Sequence, residues 1–365
     1  MEIALLLLLP ILIALTGFII SAVKNNQRYS ITFKEFLALL GAVSAVVTIG
    51  YLISRYAGIY DEELWNGRIA KKQQERVSCS HSYPCNPYPC GDSKHPSTCW
   101  HTCYEHTNDW DWALYSTNNE RIEIARVDRR GSNEPPRFTR AQINDPTAVV
   151  HSCKNYIKAN PWTLLRRQGM VEKFKNQIPS YPIKIYDYHY VNRLVDVTGK
   201  IPAHEAALWN QDLMDINATL GKKKEINIVL VVVPTSDSAY LHALEEAWLG
   251  GKKNDLVVIL GVSAYPKIDW ARAMSWTRAE ELKIMLRDQL QQIGTLEKRT
   301  EIVKTVSVLA DELFVRTKMS EFKYLMAGVR PPIWALAILF VIGTGLSIAL
   351  TLYFWNNDPF GSRNY

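Results

Sequence analysis

Three long apolar runs constrain this chain more than any other feature. Residues 1–23 (MEIALLLLLPILIALTGFIISAV) carry one charge, near the start, and residues 36–54 (FLALLGAVSAVVTIGYLIS) carry none. Residues 333–355 (IWALAILFVIGTGLSIALTLYFW) are 23 uncharged residues with aromatic side chains near both ends. A bilayer core takes roughly 20 apolar residues of helix, so each run reads as a transmembrane span. The first lacks the basic start of a secretory signal and is long for one, which favours a retained helix, with cleavage as the alternative. The second is the shortest, and a buried or re-entrant helix stays open there. Arg330-Pro331-Pro332 sets off the third, the clearest of them.

Orientation follows from the short loop at residues 24–35, whose Lys24, Arg28 and Lys34 assign it to the cytoplasm. Residues 55–331 then lie on the extracytoplasmic side (periplasmic, luminal or extracellular), and the tail at 356–365 returns. Lys318, Lys323 and Arg330 before the last span, against Arg363 after it, argue the other way. The short loop carries more weight, because large domains translocate largely regardless of charge. The net charge of +6 is spread along the chain without a stripe of basic and aromatic residues, so nucleic acid is not an expected partner. The lipid bilayer is, and anionic head groups are a milder candidate.

Residues 79–103, CSHSYPCNPYPCGDSKHPSTCWHTC, hold Cys79, Cys85, Cys90, Cys99 and Cys103; the sixth cysteine is Cys153. An even count, proline-rich spacers and an extracytoplasmic side favour three disulfides, with connectivity open. Zinc is the alternative if the cluster is reduced. The pairs Cys85–Cys90 and Cys99–Cys103 come near to zinc-knuckle spacing, and His81, His95, His101 and His106 lie among them. The stretch from Arg76 to Trp110 has too few aliphatic residues for a core of its own. Staples would therefore hold it as a protruding knob, with Cys153 tethering it to a later segment.

Within residues 55–182, the stretch 56–74 reads as a juxtamembrane helix, DWDWALYSTNNERIEIARVD as two strands about Asn118-Asn119, and the segment from Asp145-Pro146 to Asn160-Pro161 as helical. From Lys184 the pattern becomes α/β. INIVLVVVPT and DLVVILGVSA are continuous runs of the kind buried on both faces of a sheet. KIDWARAMSW alternates like a third strand. Amphipathic helices alternate with them, in IPAHEAALWNQDLMDINATLG, SAYLHALEEAWLGG, TRAEELKIMLRDQLQQIG and LEKRTEIVKTVSVLADELFVRTKM.

Three segments of this order resemble the TPM domain, a family of membrane-anchored domains. YVNRLVDVTG (190–199) looks like its opening strand and loop, INIVLVVVP (226–234) like its second strand, and AWLGGKKNDLVVIL (247–260) like its Trp–Gly–Asn segment. The likeness covers about residues 183–317. Asp255 stands where the family has a glycine, and MSWTRAEEL replaces its glycine-rich stretch. The resemblance implies an αβα sandwich outside the cytoplasm beside a C-terminal span. It also implies a Ca²⁺- or Mg²⁺-binding, phosphatase-like pocket at Asp196, Asn254 and Asp255. A cap for Asp196 and a tight turn at Asn254-Asp255 are the plainer alternatives.

The expected fold is thus an α/β, TPM-like ectodomain with a small disulfide-rich insertion and about three transmembrane helices. The expected function is an interaction or assembly module for another membrane or envelope protein. A metal-dependent phosphatase is the alternative, and self-association stays open. Gly343-Thr344-Gly345, and Gly41 with Ser44 and Ala45, would let helices approach closely.

Overall fold

The computed structural model describes residues 2–24, 30–92, 95–160, 169–186 and 190–360; Arg28, Pro161 and Arg363 lie outside them. In chain order, α1 (Glu2–Lys24) and α2 (Phe33–Ala57) lead into β1 (Tyr60–Val77), β2 (Ser82–Cys90), β3 (Ser97–Tyr104), β4 (Asp109–Ser116) and β5 (Arg121–Ile124). Then come α3 (Pro136–Arg140), β6 (Pro146–Lys154), α4 (Tyr156–Ala159), α5 (Met170–Lys173), β7 (Ile185–Tyr186), β8 (Tyr190–Val191) and β9 (Leu194–Asp196). The last third holds α6 (Ala203–Lys224), β10 (Asn227–Val233), α7 (Tyr240–Ala247), β11 (Asp255–Gly261), β12 (Trp270–Ser275), α8 (Glu280–Ile293), α9 (Arg299–Leu313) and α10 (Ile333–Asn356). The chain divides into two compact units.

The first unit is built on α1, α2 and α10, each long and apolar enough to cross a membrane. Leu6, Ala14, Leu39, Val43, Val47 and Leu339 pack between them. Most of their remaining apolar surface is exposed, as lipid-facing surface must be. Thr32 and Glu35 form a reciprocal capping box at the start of α2, satisfying backbone N–H groups that would otherwise be orphaned. The start of α1, the end of α2 and the start of α10 share one end, where the Glu2 carboxylate accepts from Tyr51 and pairs with Arg330 at 2.7 Å. Arg55 donates there to the carbonyls of Met326 and Val329. Gly343 is used inside this bundle: a Cβ there would lie 2.8 Å from Val47. Gly41 and Gly345 face open space instead.

The second unit carries two four-stranded sheets. In the first, β9, β10 and β11 run parallel and β12 closes the edge antiparallel. Alternation of side chains along the strands divides the core. Ile228, Leu230, Val232, Leu256, Val258 and Leu260 face α6, α8 and α9. Val229, Val231, Val233, Val257 and Ile259 face Tyr240, Ala243, Leu244, Trp248 and Phe174. Both faces are covered, which is why these strands read as unbroken apolar runs.

The other sheet has the order β5-β4-β1-β6 and packs Ile69, Trp112, Leu114 and Ile124 against Phe138 and Ala141. Two expectations fail here. The stretch 56–74 is mainly strand, because its polar part pairs with β4 from Lys71↔Tyr115 to Val77↔Asp109. Asp145 to Asn160 is mainly strand as well, with Cys153 on β6. Glu62, Glu63 and Leu64 of the first segment are good helix formers, and pairing overrides that preference, whereas Thr147, Val149 and Val150 of the second favour strand by themselves. Beyond the Val77↔Asp109 pair the same two legs continue into the β2–β3 hairpin, a finger projecting from the sheet.

The sheets meet closely at Gly221 of α6, where a Cβ would lie 2.2 Å from the carbonyl oxygen of Asn66 on β1. Only backbone can give way there, so Gly221→Ala is expected to destabilise the second unit by about 1–3 kcal/mol. The check is the denaturant midpoint of the full chain in detergent, followed by tryptophan fluorescence.

Candidate functional site

The finger is built from residues that cannot form a core, so covalent and polar contacts hold it. Cys85 bridges Cys103 and Cys90 bridges Cys99, with Cα separations of 5.8 and 5.7 Å. Both bridges cross between the two strands. The near-knuckle pairs of the sequence are therefore split, one cysteine of each to each bridge. Cys79 and Cys153 stand outside both bridges. Closing such loops typically contributes 2–4 kcal/mol each by restricting the unfolded chain.

Register sorts the finger into two faces. Tyr83, Cys85, Cys103 and His101 share one, and an irregularity between Cys85 and Pro87, with Asn86 at φ 42°, carries that face on through Tyr88 and Cys99. The Tyr88 ring lies 4.6 Å from the His101 ring. Pro84, Pro87, Pro89, Trp100 and Thr102 occupy the other face, with Pro87 opposite Trp100. Trp100 and Tyr104 are 54% and 57% exposed, and Tyr83 and Tyr88 are also exposed. From Cys79 to Tyr104 the only Lys, Arg, Asp or Glu residues are Asp92 and Lys94. The finger thus presents aromatic and proline surface almost free of charge.

A second constellation lies at its neck. Cys79 and His81 sit on the leg leaving β1; His106 and Asp109 sit on the leg entering β4. One ligand-type atom from each of the four lies within 4.8 Å of the others. The Cys79 Sγ is 3.8 Å from His81 Nδ1 and 3.7 Å from His106 Nδ1. The Asp109 carboxylate oxygens lie 3.3 and 3.1 Å from the same two nitrogens. Burial works against ionising Asp109, yet hydrogen bonds from Arg126, Cys79, His106 and the Ser80 N–H outweigh it and hold its carboxyl below the ordinary range. Arg126 reaches Asp109 at 3.0 Å and Asp111 at 2.7 Å. His81 and His106 stood out in the sequence among the cysteines; Asp109 did not, although His-x-x-Asp opposite Cys-x-His across a hairpin is a readable pattern.

The acidic residues expected to hold Ca²⁺ or Mg²⁺ are not brought together. Asp196 pairs with Val232 and Asp255 with Asn227, at opposite ends of β10. Five residues of strand separate them by about 16 Å. Asp196 accepts from the Thr198 N–H, the Thr198 hydroxyl and the Ile201 N–H, capping the loop before α6. Asn254 is buried and donates to the Leu64 carbonyl.

Asp255 is fully buried, and its oxygens accept from Tyr181 (3.0 Å), Asn227 (2.7 Å) and the Lys252 N–H (2.7 Å). Asn227 in turn accepts from Asn66, whose own carbonyl oxygen accepts from the buried Arg193. Burial is the main cause that lifts the Asp255 carboxyl to about 6, and burial lowers Arg193 to about 10. The two charges are relayed through carboxamides inside the unit, with no opening for substrate at Asp255.

No protein-family model, curated protein or solved structure matches this chain.

A carboxyl titrating near 6 in the folded chain against an ordinary 3.8 makes the folded state hold a proton that the unfolded state has lost. Stability should therefore fall as pH rises from about 4 to about 6, then level off. Asp255→Asn should remove that slope, read as denaturant midpoints of the full chain across this pH range.

Proposed function

We propose that this chain is a membrane-anchored interaction protein whose finger contacts another membrane or envelope protein on the extracytoplasmic side. The observation that carries the reading is the finger itself: exposed Tyr83, Tyr88, Trp100 and Tyr104 on a hairpin fixed by two disulfides. Large aromatic side chains on a rigid support bury much area for little lost freedom, which suits them to protein recognition. The near-absence of charge points to a partner surface that is itself largely uncharged, recognised by apolar contact and hydrogen bonds.

The disulfides support an oxidising compartment for this unit. A sheet covered by helices on both faces is in keeping with the likeness to TPM domains, which lie outside the cytoplasm beside a membrane span. The phosphatase alternative is not taken up, since the acidic residues it needs cap a loop in one case and face the interior in the other.

The test is photo-crosslinking in the host's membranes with a benzophenone amino acid at position 100. A discrete protein adduct is expected from position 100 and not from Glu301 on α9. An adduct of twice the chain mass would make the partner a second copy; lipid adducts alone, or none, would sink the reading. With the partner in hand, Trp100→Ala should weaken binding by about 2 kcal/mol or more, with both bridges intact.

A further inference from the structure

The neck of the finger carries chemistry that a contact surface does not need. We propose that Cys79, His81, His106 and Asp109 bind one divalent transition-metal ion, zinc above all, in a closed site that clamps the two legs of the finger together.

The distances fit coordination. Zinc holds sulfur at about 2.3 Å and nitrogen or oxygen at about 2.0–2.1 Å in a tetrahedron, so its S···N edges measure about 3.6 Å and its N···O edges about 3.3 Å. The four donors stand at 3.7 and 3.8 Å for S···N. Asp109 places Oδ1 3.1 Å from His106 Nδ1 and Oδ2 3.3 Å from His81 Nδ1, one carboxylate oxygen to each imidazole. A thiolate and two imidazoles select a borderline-soft ion; Ca²⁺ and Mg²⁺ want several oxygens.

The same distances speak against a Cys–His–Asp catalytic relay. A relay needs the thiol on one imidazole nitrogen and the carboxylate on the other. Here the Nδ1 of each histidine faces both sulfur and carboxylate. Donor atoms that converge on one point in this way are arranged around a cation. Binding displaces the Cys79 thiol proton to solvent and leaves both imidazoles neutral, with their hydrogens on Nε2.

The surroundings match a metal site too. The His81 N–H donates to the Cys79 sulfur at 3.4 Å, as outer hydrogen bonds to metal-ligating sulfurs do. Arg126 and the Ser80 N–H hold the Asp109 carboxylate from outside, as outer partners of metal ligands do. Cys79 and Asp109 are buried, while the histidine side chains are 24% and 26% exposed, leaving an entry path. Four protein ligands mark a structural rather than a catalytic site. With two ligands from each leg, the ion would be a third rung below Cys85–Cys103 and Cys90–Cys99. None of this depends on the finger being a contact organ.

The experiment uses the full-length protein, purified in detergent with both disulfides verified by non-reducing peptide mapping, and zinc and cobalt(II) as probes. One equivalent of zinc is expected, together with a cobalt derivative showing tetrahedral d–d bands and a thiolate-to-cobalt charge-transfer band. Cys79→Ser should abolish the charge-transfer band, and His106→Gln should lower cobalt affinity at least about tenfold. Should Cys79→Ser fail to form both bridges, His81→Gln, which keeps the thiolate and alters a partly exposed ligand, must still weaken cobalt binding. Less than stoichiometric metal in the oxidised protein, a charge-transfer band that survives Cys79→Ser, or Cys79 found in a disulfide would overturn the assignment.

Discussion

The buried carboxamide of Asn66 is the polar hub where the two four-stranded sheets of the second unit meet. Its Nδ2 donates to the Ile226 carbonyl and to Asn227, and its Oδ1 accepts from Arg193. Its backbone oxygen accepts from Asn118 on the turn after β4 and lies against Gly221. Asn66 belongs to β1, the strand that ends at the finger, whereas Arg193, Asn227 and Asp255 belong to the α/β layer. The orientation of the finger-bearing sheet on that layer is thus fixed in part by buried hydrogen bonds, where a lost partner costs more than a formed bond contributes. An apolar residue at 66 would leave Arg193 and Asn227 facing each other without the group that joins them.

From Asn66, β1 runs outward to the finger. Its pairing with β4 is continuous through Val77↔Asp109, so the finger's two legs leave the sheet already in register. At that point the sheet can no longer stabilise them: only sparse apolar side chains follow, and a two-stranded hairpin alone is marginal in water. The chain answers with cross-links. Cys85–Cys103 and Cys90–Cys99 lie along the hairpin, and the Cys79, His81, His106 and Asp109 cluster lies where hairpin becomes sheet. Arg126 connects that cluster to Asp111 on β4, so the neck is tied to the sheet below as well as across.

Much of this was legible in the residues, for identifiable reasons. The three membrane-length helices and β10 and β11 announce themselves because lipid and a doubly covered sheet both demand unbroken apolar runs. Lys71 to Gln74 misled because nothing local distinguishes a polar strand from a helix; its partner β4 lies over thirty residues away. Asp196 and Asp255 were expected at one site through the likeness to TPM domains, but Asp196 ends a strand and Asp255 begins one, and in a parallel sheet those positions lie at opposite edges. Disulfides, zinc and a mixed state were all open for the cysteine cluster; in the fold four cysteines cross the hairpin, and Cys79 lies beside two histidines and an aspartate at the neck.

That division has a physical sense. A disulfide persists only where the surroundings are oxidising, and a metal thiolate persists only where the thiol escapes oxidation. The bridged cysteines sit on the slender finger, with strand partners at the Cα spacing a disulfide requires. Cys79 is buried at the base, away from those partners, with an N–H on its sulfur and a guanidinium behind the neighbouring carboxylate. Its neighbours are imidazole and carboxylate donors rather than a partner sulfur. The two kinds of rung would also fail under different challenges, reductant for one and chelator for the other. A finger held by both would keep the aromatic side chains on its two faces presented as long as either survives.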